Sequence, residues 1–334
     1  MTVSLQSSSR INKLQLKNRL VLAPMQQHQG TPDGHATDYH IRHYGQRAAD
    51  VGLVLIESTA VSSEGRLYQD DIGIYSDSHI KPLNQVVKAV HDKDARVFIQ
   101  LSHGGRKSKL LPGERLLAPS ALAFNDEYGL PFEANDEELE RIIDAYRKAA
   151  LRSREAGFDG IELHAAHGYL LHQFLSPISN RRNDAFGGSE NRRLQFVLQV
   201  AIAVREAVGP DYPVQIRLSA TDYNSAGLFP QQVADIFNKL EPLLDAVHVS
   251  SGGLTPERPL DVHPGYQIPY AAILKSTTAL PVIAVGGIHT KALAERVIAE
   301  KLADFIAIGR PMLEDPDFAR RLLSKQPLPI QSVT

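Results

Sequence analysis

The amino-acid sequence predicts a single (β/α)8 barrel, the TIM-barrel architecture. Eight short apolar runs rich in Val, Ile and Leu recur along the chain, and longer amphipathic segments lie between them. Strands that are covered on both faces, as in a parallel sheet, have this composition. The strand count favours a closed barrel over an open doubly wound sheet. A Rossmann-type sheet would also need a glycine-rich fingerprint after its first strand, where this sequence has Pro24, Met25 and Gln26.

The predicted strands are the eight apolar runs, each of which is bounded by turn residues. They cover residues 19–24, 53–60, 96–103, 159–166, 214–220, 246–252, 281–287 and 304–310. A helix is predicted over residues 136–156, where apolar side chains recur at helical spacing, and Gly157 is suited to cap its end. A second helix is predicted over residues 290–301.

Composition limits the classes of function. The chain has 334 residues and a net charge of -2, and its charges are interspersed, so no basic stripe indicates nucleic acid or an anionic membrane as a partner. It contains no cysteine, which excludes disulfides, thiolate metal sites and a cysteine nucleophile. There is no run of about 18 apolar residues and no apolar signal-peptide core at the N-terminus. We therefore expect one cytoplasmic domain over residues 1–334, without a membrane span.

The carboxyl ends of the predicted strands indicate where a site should lie, because active sites of such barrels form there. Long connections over residues 104–135 and 168–190 are expected to build a substrate pocket. The seventh strand ends in Gly286 and Gly287, and the eighth in Gly309 and Arg310. Glycines let backbone N–H groups approach phosphate oxygens and an arginine adds a charged fork, so these residues predict a phosphate site rather than tight turns alone.

Arg217 is unusual because it lies inside an apolar strand, where a cation needs a partner anion. Two interpretations remain open. Arg217 forms a structural salt bridge with an acidic residue such as Glu162 on the preceding strand, or it faces negative charge that develops on a bound cofactor.

The motif HAAHGY places His164 and His167 after the fourth strand, with Tyr169 two residues later. A metal site that also uses Glu162 is the competing interpretation, but the ligand set is incomplete and no metal is predicted. Two hydrogen-bonding imidazoles beside a phenol suit another task. They can hold an anionic or carbonyl oxygen while the tyrosine supplies a proton.

Several longer motifs occur in the order seen in one enzyme family. They are LKNRLVLAPM (16–25), IQLSHGGR (99–106), HAAHGYLLHQFLSP (164–177), NRRNDAFGGS (180–189) and DFIAIGRPML (304–313). Over nearly its whole length the chain resembles the old yellow enzyme family of FMN-dependent ene-reductases, and in particular its shorter bacterial branch.

The resemblance implies an FMN-binding site across the mouth of the barrel. It assigns the FMN phosphate to Gly286, Gly287, Gly309 and Arg310. Arg217 would face the N1/O2 edge of the flavin ring, where reduction places negative charge. The remaining residues expected to contact the ring are Pro24, Met25, Gln26, Ala60 and Gln100.

The resemblance also implies a mechanism. His164 and His167 would bind the carbonyl oxygen of an enone or enal, flavin N5 would deliver hydride to the β-carbon, and Tyr169 would protonate the α-carbon. NADPH or NADH would reduce the FMN first and leave before the substrate enters, in ping-pong order. An unperturbed tyrosine, with a pKa of about 10, is protonated at neutral pH.

Two positions depart from the bacterial branch. Gln26 stands where a cysteine that tunes the flavin potential is common, and His28 stands where a tyrosine often lines the substrate pocket. We therefore expect a different redox potential and substrate preference, with His28 in the substrate pocket.

Alternative functions are a flavin barrel that acts mainly on nitro compounds or nitrate esters, and a non-redox phosphate-binding barrel such as an aldolase or isomerase. The latter needs a lysine or a carboxylate base at a strand end, and the predicted strand ends have none. A homo-oligomer is compatible with the sequence, which does not specify one.

Overall fold

The computed structural model describes residues 3–110, 113–257, 259 and 261–324. Eight parallel strands close into a barrel in which each strand pairs with the next along the chain and the last with the first. They are β1 (Leu20–Leu22), β2 (Leu53–Ala60), β3 (Arg96–Ser102), β4 (Gly160–Ala165), β5 (Val214–Ser219), β6 (Ala246–Ser250), β7 (Val282–Ala284) and β8 (Phe305–Ile308). Each lies within its predicted run, so the predicted fold class is confirmed.

Helices follow the strands and cover the outside of the barrel. They are α1 (Asp38–Arg47), α2 (Ile80–His91), α3 (Asp136–Glu155), α4 (Leu170–Leu175), α5 (Glu190–Val208), α6 (Pro230–Leu240), α7 (Ile268–Lys275), α8 (Lys291–Ala299), α9 (Arg310–Glu314) and α10 (Phe318–Leu323). Single turns of 3-10 helix lie at Ser63–Gly65, Asp77–His79, Gly105–Lys107 and Glu241–Leu243. No helix in the described ranges is both long and apolar enough to cross a membrane.

The helix predicted over residues 136–156 forms as α3 because both of its ends are capped. The Asn135 side chain accepts from the backbone N–H of Glu138, whose carboxylate accepts from the Asn135 N–H in return. Gly157, just beyond the helix, has a φ of +91°, which glycine adopts easily. The helix predicted over residues 290–301 is observed as α8, and Thr290 caps it.

The two long loops contain short elements that the sequence did not predict. Leu117–Ala118 pairs with Phe132–Glu133 as a two-stranded parallel sheet after β3, and α4 forms in the loop after β4. Residues 111 and 112 of the first loop lie outside the described part of the chain, as do residues at both ends of the predicted domain 1–334. Those domain bounds stay a prediction.

Apolar packing separates the barrel into an outer and an inner core. The outer core lies between the strands and the helices, and includes Ile99, Ile161, Leu163 and Ile216. The inner core lies inside the barrel near the amino ends of the strands, where Phe98 and Phe305 meet Ile11 and Leu16. Those last two belong to an antiparallel hairpin, Ser9–Ile11 with Leu14–Leu16, which therefore closes the amino end of the barrel.

Strand register sets polar side chains in two rows inside the barrel. Gln100, Glu162 and Gln215 pair in register across β3, β4 and β5. Two residues further along, in the direction of the carboxyl ends, His164, Arg217 and His248 pair across β4, β5 and β6. Because successive strand residues alternate between two faces, both rows share the interior with their side chains stacked in layers.

Candidate active site

A cavity of about 390 Å³ lies at the carboxyl ends of the barrel strands. Active sites of this architecture form at that end. The cavity brings together most of the site residues that the sequence predicted, from separate strands and the loops that follow them. Those lining it are Pro24, Met25, Gln26, Gln100, His164, His167, Tyr169, Arg217, Gly286, Gly287, Gly309 and Arg310.

Arg217 is the buried cation of this cavity. The residue is 7% exposed, and its Nε is buried with no hydrogen-bond partner among the residues the structure describes. In the described part of the chain Arg217 makes no direct salt bridge with Glu162, although the carboxylate is near enough for its charge to act on the guanidinium. Burial lowers the pKa of the Arg217 guanidinium, and the negative charge of Glu162 partly offsets that effect. The cavity therefore offers a buried positive charge to an anionic ligand.

Glu162 lies behind Gln100, which lines the cavity, and three hydrogen-bond donors contact its carboxylate. Gln100 Nε2 donates to one carboxylate oxygen at 2.7 Å, and Gln215 Nε2 donates to the other at 2.6 Å. His248 Nδ1 lies 2.9 Å from that second oxygen. Burial raises the pKa of the Glu162 carboxyl, but the contacts with His248 and Gln100 and the charge of Arg217 hold it below its usual value. The Gln100 amide has two N–H donors and one of them is used on Glu162, so its carbonyl oxygen and its second N–H remain for a ligand.

His164 lies deep in the cavity, with 3% of its surface exposed. The backbone N–H of Ala166 donates to its Nδ1 at 3.3 Å, so the ring proton is on Nε2. The His164 ring packs edge-on against His167, with centroids 5.2 Å apart, and against Tyr169 at 4.9 Å. His167 Nε2 lies 2.7 Å from the hydroxyl of Ser250. The two imidazoles and the phenol therefore form one cluster.

Burial determines the protonation states of this cluster. It lowers the pKa values of His164 and His167 well below their usual range, and the charge of Arg217 lowers them further. Burial also raises the pKa of the Tyr169 phenol well above its usual value. At neutral pH the cluster thus holds two uncharged imidazoles and a protonated phenol, which can donate a hydrogen bond or a proton.

Gly286, Gly287 and Gly309 let the chain approach a ligand at the opposite wall. Gly286 and Gly287 have φ values of +115° and +66°. A Cβ on Gly286 would lie 2.3 Å from Gln267 Nε2, and one on Gly309 would lie 3.0 Å from Met25 Sδ. The exposed Arg310 follows directly, so glycine backbone and a guanidinium lie together. This arrangement suits a phosphate, and Arg217 suits a second anionic group, so the residues fit FMN.

The structure does not bring Ala60 and His28 into this cavity. Ala60 is buried at the end of β2, and Ser58 of the same strand lines the cavity instead. The Ala60 backbone pairs with the chain that follows β2, since its N–H donates to Ile72 O at 3.0 Å and its carbonyl accepts from Ile74 N–H at 2.9 Å. His28 lines a second cavity of about 540 Å³, where its ring contacts Asp70 and Tyr68.

Sequence reasoning missed several residues of the cavity. Ser250, Tyr266 and Gln267 line it, and Gln267 Nε2 donates to the carbonyl of Val285. Asp71 lies behind Gln26 and accepts from its amide, and burial raises the pKa of the Asp71 carboxyl to about 8. Apart from Ser250, the last residue of β6, these residues come from loops, and none belongs to a motif. The one sequence signal was the position of Ser250 at a strand end.

Comparisons with known proteins agree with this geometry. Residues 9–328 match the model of the NADH:flavin oxidoreductase / NADH oxidase family. The chain is 40% identical over 310 residues to an NADPH dehydrogenase of Clostridium acetobutylicum, covering 92% of this chain and 91% of that protein.

Two solved structures are similar. Morphinone reductase in complex with tetrahydroNAD is 29% identical with a TM-score of 0.82, over 96% of this chain and 90% of that one. A 2-naphthoyl-CoA reductase in complex with 2-naphthoyl-CoA is 25% identical with a TM-score of 0.90, over 96% of this chain. Our chain spans about half of that second protein, 52% of its length.

Fold and site together define a TIM-barrel flavin oxidoreductase. The chain belongs to the NADH:flavin oxidoreductase / NADH oxidase family, the family of the old yellow enzymes, and is an FMN-dependent enzyme that uses NADPH or NADH. The predicted family, cofactor and reductants are confirmed, and the non-redox barrel is excluded.

Proposed function

We propose that the protein reduces the activated C=C bond of small α,β-unsaturated carbonyl compounds. The observation that carries the proposal is the cluster of His164, His167 and Tyr169 in the same cavity as Arg217. Hydrogen-bond donors for a carbonyl oxygen and an acid for carbon are the two groups that alkene reduction needs besides a redox cofactor.

FMN would be held by residues on three sides of the cavity. Gly286, Gly287, Gly309 and Arg310 would hold its phosphate, and Arg217 would carry the positive charge beside its ring. Gln100 would offer its carbonyl oxygen and its second N–H, since one N–H is engaged by Glu162. When bound, FMN accepts two electrons from NAD(P)H and passes them to the substrate. Pro24, Met25 and Gln26 would line the ring.

The substrate carbonyl would be held by the two histidines. His164 can donate through Nε2–H, because its Nδ1 already accepts from Ala166. For His167 to donate through Nδ1, its Nε2 must accept from the Ser250 hydroxyl, 2.7 Å away. The Ser250 hydroxyl also lies 3.4 Å from Gln267 Oε1, so its single proton would go to the shorter contact with His167. Both hydrogen bonds would withdraw electron density from the conjugated alkene.

Tyr169 would supply the proton to the α-carbon. Burial keeps its phenol protonated, and the ring lies against His164, so the acid sits beside the carbonyl-binding group. The overall reaction adds two electrons and two protons across the C=C bond and oxidises one NAD(P)H. The phenolate of Tyr169 then regains its proton from water.

The test follows the two half-reactions under anaerobic conditions. Visible flavin absorbance should bleach when NADPH is added to the purified holoenzyme, and should return when 2-cyclohexen-1-one is added. Tyr169→Phe should bleach normally and recover at least about 100-fold more slowly, because it lacks the acid. Tyr212→Phe is the matched control, since the Tyr212 hydroxyl donates to Phe158 O at the opposite end of the barrel.

Absorbance that bleaches with NADPH and does not return with any enone or enal would refute the proposed substrate class and leave the flavin oxidoreductase intact. Recovery with nitro compounds or nitrate esters, and not with enones, would establish the alternative function. A cytoplasmic location and a homo-oligomer both stay predictions.

A further inference from the structure

The short turn between β4 and α4 carries two of the proposed substrate contacts. His167 has a φ of +58° and Gly168 a φ of +75°. Left-handed backbone is uncommon for a histidine and persists only where the surrounding structure holds it. What holds this turn therefore determines where the His167 and Tyr169 side chains point.

His172, on α4, holds the turn from behind. It is 1% exposed, and its Nδ1 accepts the backbone N–H of Gly168 at 3.0 Å. A neutral imidazole has one donor and one acceptor nitrogen, so the His172 proton must be on Nε2. That Nε2 lies 2.9 Å from the Oδ1 of Asp222.

Asp222 is buried beyond β5 and uses both carboxylate oxygens. Oδ1 faces His172, while Oδ2 accepts from the Ser176 hydroxyl at 2.7 Å and from the Leu228 N–H at 2.8 Å. Burial raises the pKa of the Asp222 carboxyl, but His172, Leu228 and Ser176 together hold it below its usual value. The side chain is thus an ionised acceptor at Oδ2, and Oδ1 and His172 Nε2 lie opposite each other with no other polar partner among the described residues.

We propose that Asp222 is a positioning residue of the active site. By accepting at Oδ1, it keeps His172 in the Nε2–H tautomer, which leaves Nδ1 free to accept from Gly168 and so fixes His167 and Tyr169 on either side. The inference rests on the proposed function in one respect: it takes these two side chains as the substrate contacts.

Other contacts hold the same turn without depending on a tautomer. Ser219 Oγ accepts the N–H of His167 at 3.0 Å, and Lys107 Nζ donates to the His167 carbonyl at 2.9 Å and to the Gly253 carbonyl at 3.1 Å. A Cβ on Gly168 would lie 2.2 Å from the Gly253 carbonyl oxygen. Loss of the Asp222 contact should therefore displace the turn rather than unfold it.

Asp222→Asn tests whether the turn is held by the tautomer of His172 or only by a side chain of this size at position 222. Leu228 N–H can only donate, so the new amide must place its oxygen there and its NH2 opposite His172. His172 Nε2 must then accept, which moves the ring proton to Nδ1, where it meets the Gly168 N–H. Asp159→Asn is the matched control, because Asp159 also holds a histidine, His91, and a backbone N–H, that of Val97, near the amino end of the barrel.

The first measurement is the tautomer of His172, read from its ring 15N chemical shifts in histidine-labelled holoenzyme. The ring 15N signals that disappear in His172→Asn are those of His172. The proposal expects the Nε2–H form in the wild type and in Asp159→Asn, and the Nδ1–H form in Asp222→Asn. An unchanged Nε2–H form in Asp222→Asn, or an Nδ1–H form in the wild type, would overturn it.

The second measurement is the dissociation constant for cyclohexanone, which has the carbonyl group without the alkene, followed by perturbation of the flavin spectrum. Asp222→Asn should weaken binding about tenfold and lower kcat for 2-cyclohexen-1-one by a similar factor, whereas Asp159→Asn should change neither. Equal effects of the two variants would overturn the proposal.

If Asp222→Asn does not fold, two His172 variants replace it. Asn keeps an acceptor near the Nδ1 position and Leu does not, so His172→Asn should bind cyclohexanone more tightly than His172→Leu. Equal binding would overturn the proposal. A wild type that does not bind cyclohexanone at all would refute the proposed substrate class instead, and the tautomer measurement would still decide the role of Asp222.

Discussion

Replacing Glu162 by glutamine removes one buried negative charge and hardly changes shape. The carboxylate accepts from the amides of Gln100 and Gln215 and contacts His248 Nδ1, at 2.6–2.9 Å. A glutamine has one acceptor oxygen and one NH2 group, so with Gln100, Gln215 and His248 oriented as they are, at least one of these three donors would face another donor. It would also leave Arg217 without the nearby charge that offsets its burial.

The size of the effect follows from these contacts. A hydrogen bond to a charged group contributes about 1.5–3 kcal/mol, and the glutamine oxygen can keep neutral bonds of about 1 kcal/mol each. Each buried donor that loses its acceptor costs about 1–3 kcal/mol. We therefore expect Glu162→Gln to lower the free energy of unfolding by roughly 2–4 kcal/mol.

The assay is urea denaturation of the FMN-free protein at pH 7, followed by far-UV circular dichroism and linear extrapolation. Glu300→Gln is the control, because Glu300 is exposed, and it should change stability by less than about 0.5 kcal/mol. A loss of less than about 1 kcal/mol in Glu162→Gln, with the slope unchanged, would refute the view that the polar interior of the barrel depends on the carboxylate charge.

Three further predictions concern single positions. Gly286→Ala should raise the dissociation constant of FMN at least tenfold in a fluorescence titration, because of the φ of +115° and the 2.3 Å approach to Gln267; an unchanged value would argue against the glycine cradle. Because burial raises the pKa of Tyr169, alkene-dependent reoxidation should not fall near pH 10, where an ordinary tyrosine ionises, and a loss of rate there would contradict this assignment. Burial lowers the pKa of His103 to about 4 in the folded protein, whereas an ordinary histidine has a pKa of about 6.5. As pH falls below about 6.5, the unfolded chain binds a proton at this histidine before the folded protein does, so the free energy of unfolding decreases. His103→Asn keeps an acceptor for the Gly105 N–H. Between pH 7 and pH 5 its free energy of unfolding should fall by about 2 kcal/mol less than that of the wild type, and an equal fall would exclude His103 as the cause.

The barrel could be predicted from the sequence because each strand is buried on both faces and reads as one apolar run. Val214–Ser219 shows why the site was harder. The sequence shows Arg217 in this strand. It does not show that Glu162, the acidic residue considered as a partner for Arg217, is engaged by three side chains from three other strands. A pattern along one strand cannot show how many donors a carboxylate meets across the barrel.

Two predicted site residues do not line the main cavity, and their roles stay predictions. The resemblance implies a ring contact at Ala60, and in the structure the Ala60 backbone pairs with residues 72–74, while Ser58 of the same strand lines the cavity. His28 has a φ of +56°, and its side chain lies with Asp70 rather than in the main cavity. Tyr266 and Gln267 were missed because long loops bring them to the site, and their positions depend on tertiary packing.

The two polar rows inside the barrel also limit how this protein can change. Side chains of a strand alternate with a period of two, so deletion of one residue within β4 would turn Glu162 and His164 outward against the helices and Ile161 and Leu163 inward. The alternation of side chains along each strand is thus fixed, and an insertion or deletion within a strand should abolish cofactor binding. Variation in substrate range is expected in the connecting loops, where changes of length leave the alternation intact.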